Sequence, residues 1–74
     1  MTRTGILRIT GSESRVAGTL LARCGTENPR SNATKFVKAR GFADGDKVRA
    51  TGEAGTIGEP PGVAVLCITD IESA

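Results

Sequence analysis

Glycine cuts this chain more finely than any other residue. Ten glycines fall among 74 residues, and most intervals between them hold only a short apolar or β-branched run. Glycine inside a helix costs about 1 kcal/mol relative to alanine, whereas in a tight turn it is favoured. A chain punctuated this way is expected to be strands and turns from end to end. A helical reading fails for most of it, because no stretch of a dozen residues keeps an i, i+3, i+4 apolar stripe free of glycine or β-branched clusters. At this length a single domain over residues 1–74 is expected, with about 60% of the unfolded surface buried.

Five strands emerge along the chain. Residues 5–10 (GILRIT) are β-branched and end at Gly11 and Ser12. Residues 14–24 (SRVAGTLLARC) alternate as one half-buried strand, with Val16, Gly18, Leu20, Ala22 and Cys24 on one face and Arg15, Ala17, Thr19, Leu21 and Arg23 on the other. Gly18 suits the coiling or bulge that a small barrel needs. Residues 25–33 (GTENPRSNA) form a polar loop, and residues 34–42 (TKFVKARGF) the third strand. A turn follows over residues 41–46, with Asp-Gly its strongest signal. Residues 47–54 (KVRATGEA) are the fourth strand, residues 55–62 (GTIGEPPG) a mobile loop, and residues 63–71 (VAVLCITDI) the fifth strand. That last run is apolar on both faces, as in a strand covered on both sides or one whose outer face a loop or partner hides. Five strands without a second layer imply an all-β closed barrel with little or no helix, since closure removes the exposed edges.

Two segments, residues 43–52 (ADGDKVRATG) and 62–71 (GVAVLCITDI), together resemble the second half of an oligonucleotide/oligosaccharide-binding (OB) domain. Many OB domains, including the anticodon-binding type, carry a Gly-Asp-x-Val-x-x-x-Gly fourth strand, matched here by Gly45, Asp46, Val48 and Gly52. A glycine-rich loop and a final strand ending in an apolar residue and an acid complete that pattern, and residues 6–11 (ILRITG) resemble its first strand. The resemblance implies a five-stranded OB-like barrel, in which the outer surface of strands two and three binds single strands. One departure stands out. The helix that usually plugs the barrel between strands three and four has no place, because residues 42–46 hold only a turn, and one end stays open unless Phe42 fills it. The alternatives are an SH3-like barrel or an oligomer that covers the open end. The Gly45-Asp46-Lys47-Val48 run also resembles the small barrel proteins that form ring-shaped vertices in bacterial microcompartment shells.

Catalytic chemistry finds little to work with. The chain has no His, Tyr or Trp, no nucleophile elbow and no phosphate-binding glycine loop followed by Lys and Ser/Thr, so it is read as not an enzyme, without cofactor. With two cysteines, no histidine and no CxxC spacing, no metal site is expected either. Cys24 and Cys67 are read as reduced, buried thiols acting as small hydrophobes, with a disulfide as the alternative. Asp44 and Asp46 are read as a solvated turn rather than a cation site. Gly52, Gly55, Gly58 and Gly62 are read as a flexible hairpin loop rather than a phosphate cradle. No apolar run reaches the roughly 20 residues of a membrane span, and the N-terminal residues lead into too short an apolar stretch for a secretory leader. The expectation is a cytoplasmic protein with no membrane partner.

Charge placement gives the one positive hint. Residues 1–49 hold all ten Lys and Arg with four acids, a net +6, and residues 50–74 hold the other four acids, a net −4. On the second strand Arg15 and Arg23 share a face, and on the third Phe36, Lys38 and Arg40 do. Cations there would track phosphates, and an exposed Phe36 would stack one base. The candidate nucleic-acid-binding residues are therefore Arg15, Arg23, Phe36, Lys38 and Arg40, in a small module that binds single-stranded DNA or RNA weakly and without sequence preference. The alternative is a protein-interaction or self-assembly barrel, with a protein partner or further copies of itself.

Overall fold

The computed structural model describes residues 1–74. Five strands, β1 (Thr2–Thr10), β2 (Glu13–Val16), β3 (Thr19–Ala22), β4 (Lys47–Ile57) and β5 (Val63–Ser73), are joined by one helix between β3 and β4, α1 (Pro29–Ala39). The strands close into a barrel in the order β1-β2-β3-β5-β4. Every neighbouring pair is antiparallel except β3 and β5, which run parallel with Leu21 opposite Leu66 and Ala22 opposite Cys67. β1 is shared, its first half pairing with β4 and its second half with β2. This is the small all-β closed barrel that the glycine pattern predicts, and it is consistent with an OB-like barrel.

Three expectations about its parts are corrected. Residues 14–24 are not one strand. Ala17 and Gly18, both at positive φ (50° and 77°), form a two-residue hairpin turn that folds the run into β2 and β3, as two-residue hairpins require. Residues 55–57 are not loop: β4 continues to Ile57 opposite Val63, so only residues 58–62 connect β4 to β5. Residues 34–42 are not a strand, because α1 occupies residues 29–39.

The helix has an ordinary physical basis. Pro29 lies in its first turn, where its missing N–H costs nothing. Gly41 ends it at φ +88°, with the Gly41 amide donating to the Lys38 carbonyl and the Phe42 amide to the Val37 carbonyl. As a strand, this segment would bury a lysine or arginine on whichever face it turned inward. As a helix it buries only Ala33, Thr34 and Val37 and leaves Lys35, Lys38 and Arg40 in solvent. Ala33 and Val37 join Leu7, Val16, Leu21, Val48 and Leu66 in the main core, so the interior that the sequence left uncovered is closed by the chain itself. The Thr34 hydroxyl donates to the Ser12 carbonyl at 2.7 Å, which leaves the buried Ser14 hydroxyl to donate to Thr34, also at 2.7 Å. No buried side-chain polar atom lacks a partner.

A second cluster sits on the opposite side of β3 and β5. Leu20, Ala22 and Val65 are buried there, with Ile57 and Cys67 packed against them. Strand alternation places these residues away from Leu21, Leu66 and Ile68, which face the main core. The two-sided apolar character of residues 63–71 is thus partly satisfied within the molecule, with Ile57 of β4 packed on this cluster and Val63 left exposed. Gly52 marks the start of the far half of β4. The β4–β5 register shifts at Thr51/Gly52, and a Cβ at Gly52 would collide with the Cys67 carbonyl oxygen.

Cys24 and Cys67 are not free thiols. They form a disulfide across 43 residues of sequence, with Cα atoms 5.3 Å apart, and Cys24 is exposed rather than buried. The sequence reading fails because residue 24 lies past the end of β3, in a turn whose path the apolar alternation of residues 20–24 does not reveal.

Candidate nucleic-acid interface

The five candidate residues do not share one wall. Arg15 lies on β2, exposed, directly opposite Arg8 of β1 and Leu20 of β3. Arg23 follows β3, and Phe36, Lys38 and Arg40 belong to or end α1. On a helix, two residues turn through about 200°, so Lys38 points away from Phe36, and its exposed neighbour is Lys35. The cations of the first 49 residues are spread over β1, β2, the helix and the start of β4, not gathered on one outer surface.

Three of the five do meet. The Arg23 guanidinium carbon lies 4.3 Å, and that of Arg40 4.6 Å, from the centre of the Phe36 ring. Arg23 also donates to the Ile68 carbonyl at 3.2 Å, and Arg40 to the Asp70 carboxylate at 2.8 Å. The ring, half-buried against the main core, is a platform on which two guanidiniums fasten α1 to the outer side of β5. Both arginines are occupied there, and the ring lies beneath them rather than open to a base.

Arg15 has a different setting. It lines an open hollow of about 280 Å³ between the β2–β3 turn and the paired β4–β5 arm. Leu20 and Val65 give this hollow an apolar floor, Gly18, Gly55 and Ala64 keep its sides low, and Arg3 stands in its wall with Arg15. No carboxylate lines it. Arg3 takes part in no ion pair. Arg15 reaches Glu13 only at 3.7 Å, and the same carboxylate is held at 3.0 Å by Arg30. Arg3 is absent from the sequence-derived candidates because it lies outside a first strand that begins at Gly5, whereas β1 begins at Thr2. The β-favouring threonines on either side of it, Thr2 and Thr4, are the signal that extends β1 to include it.

The acidic turn has a structural role. The Asp44 carboxylate accepts from the Ile9 amide at 2.8 Å and the Asp46 carboxylate from the Ala43 amide at 2.9 Å. The two acids cap backbone amides around the entry to β4 and fix its start beside β1.

No family model matches this chain, and neither a curated protein nor a solved structure is similar enough to it to count as a match.

Proposed function

We propose that this barrel is an OB-type module that binds the backbone of single-stranded nucleic acid in the hollow between the β2–β3 turn and the β4–β5 arm. The OB reading is supported by the strand order β1-β2-β3-β5-β4 and by a helix between β3 and β4, the element whose apparent absence counted against it in the sequence. OB domains bind oligonucleotides on the face of strands two and three and the loops beside it.

The observation that carries the proposal is the pair Arg3 and Arg15 in a hollow without a carboxylate. A guanidinium loosely held by a shared acid turns to a phosphate at little cost, and phosphate contacts supply affinity without sequence preference. Arg15 remains from the sequence-derived set, Arg3 joins it, and Arg23, Phe36 and Arg40 act in holding α1 to β5. Lys38, with Lys35, lies outside the hollow.

The test is a titration of the labelled protein with short oligo-dT and oligo-rU at low salt, followed by NMR. Amide shifts at Gly18, Leu20, Gly55 and Val65 are expected, and Arg15→Glu abolishes them. If no amide around the hollow moves at low salt, the proposal fails. Sedimentation at several concentrations checks the rival assembly reading, for which one motive is weaker, since α1 packs Ala33 and Val37 into the main core, and one remains, since Val63 of β5 is exposed.

A further inference from the structure

The disulfide is not sealed in the core. Cys24 is exposed in the turn after β3, and Cys67, in the middle of β5, is half-buried. Both open into one hollow, separate from the one above, whose wall includes Arg23, Thr26, Glu53 and Thr69. A buried disulfide is inert because no nucleophile can reach a sulfur in line with the bond. Here both cysteines line an open hollow with charged and polar residues beside them. Arg23 is the one cation in the wall, and it takes part in no ion pair. Glu53 faces Cys67 directly across the β4–β5 ladder. Two residues further on, Gly55 leaves room for the sulfur: an alanine Cβ at that position would stand 2.7 Å from Cys67 Sγ. Access, a charged wall and a space left for one sulfur converge on a single bond.

We propose that Cys24–Cys67 is a thiol–disulfide exchange site that accepts two electrons from an external dithiol. A thiolate of the dithiol attacks Cys24 Sγ, on the more exposed of the two residues, while Glu53 repels an anion approaching Cys67. The Cys24–Cys67 bond breaks, a mixed disulfide forms on Cys24, and Cys67 leaves as a thiolate that takes a proton from water. The second thiol of the reductant, as its thiolate, then attacks its own partner sulfur in the mixed disulfide. Cys24 is released and protonated, and the reductant departs as a cyclic disulfide. The balance is one protein disulfide reduced to two thiols and one dithiol oxidised. In reducing compartments such bonds are mostly catalytic or redox-sensing, and in oxidising ones mostly structural. The accessible geometry assigns this bond to the first kind. The inference is independent of the nucleic-acid reading.

The experiment uses the whole chain, oxidised with glutathione disulfide. Its reduction by dithiothreitol is followed in native buffer and in urea by acid quench, alkylation and mass spectrometry. Native reduction within about tenfold of the rate in urea is expected, because the attacked sulfur is already accessible. With glutathione in place of dithiothreitol, the transient mixed disulfide is expected on Cys24. In Gly55→Ala the crowded sulfur shifts the equilibrium toward the dithiol by about tenfold. Should that variant fail to fold, the wild-type rates and the mapped mixed disulfide decide. Reduction confined to urea, glutathione trapped on Cys67, or thiols that stay free after oxidation would each overturn the proposal.

Discussion

On the α1 side of the barrel, Arg23 and Arg40 lie over one aromatic ring, and each donates to β5, one to a carbonyl and one to a carboxylate. On the side of the β4–β5 arm, Arg3 has no ion pair and Arg15 shares a carboxylate with Arg30. The surroundings differ in the same sense. α1 buries three residues and a satisfied hydroxyl pair against the main core, whereas the arm packs on a cluster of three buried residues and is tied at its root by a disulfide. Count of cations therefore says little about binding. A guanidinium held by a ring and by either a carbonyl or an acid is part of the framework, and one that must share its acid is available to a ligand.

The largest expected effect falls on the arm. Cys67→Ser removes a cross-link spanning 43 residues, for which loop-closure entropy gives about 4 kcal/mol, a large part of the roughly 4–11 kcal/mol expected for a domain of this size. Denaturant unfolding should show equal losses for Cys67→Ser, Cys24→Ser and the reduced wild type. Unequal losses would mean that the arm is held by something other than the bond. Next comes Phe36→Ala, which empties the platform under two guanidiniums. A half-buried ring with its cation contacts contributes about 2 kcal/mol, and oligonucleotide affinity should stay unchanged wherever the variant is folded. A loss of affinity without a loss of stability would reverse the roles assigned to the two sides.

Thr34→Val is smaller, at about 1.5 kcal/mol, because it strips the buried Ser14 hydroxyl of its acceptor. Replacing Ser14 with alanine as well should recover part of that loss. Arg15→Ala should leave stability within about 0.5 kcal/mol, and should lower the slope of log K against log salt by about one unit for single-strand binding. Arg49→Ala sharpens the contrast from the other end. Its exposed pair with Glu72 contributes at most about 0.5 kcal/mol, and no change in binding is expected.

How much of this was legible follows from the periods involved. Strands β1, β4 and β5 are long, each has a glycine near at least one end, and their β-branched, alternating or continuously apolar runs place them within a few residues. The β2–β3 hairpin was hidden because its turn, Ala17-Gly18, sits inside an unbroken apolar alternation and looks like a strand with one glycine. The helix was missed for a different reason. Residues 26–40 are the longest interval of the chain without glycine, opened by Asn28-Pro29 and closed by Gly41, which are start and stop signals for a helix. Yet the inward stripe is only Ala33, Thr34 and Val37, too small and too β-branched to register as an amphipathic face. Once that segment was read as a strand, Phe36, Lys38 and Arg40 fell on one face, and a basic wall followed that a helix does not produce. Of the candidate site, Arg15 was placed on a strand beside its hollow. Thr2 and Thr4 signal that Arg3 belongs to β1, but its meeting with Arg15 in one hollow, like the disulfide, depends on contacts between distant segments, which local pattern does not encode.

The parallel seam has a consequence for how the molecule comes into being. Leu21 meets Leu66 and Ala22 meets Cys67, so the strand that completes the cylinder is also the last of the five to be synthesised. Until it arrives, the third strand has only its hairpin partner, and the fourth only the first. A nascent chain ending before residue 63 can form the hairpin and the helix but has no route to a tube. Folding should therefore be gated by the meeting of remote segments and be slow for so short a polypeptide. The unpaired edges waiting for that meeting are where aggregation would begin.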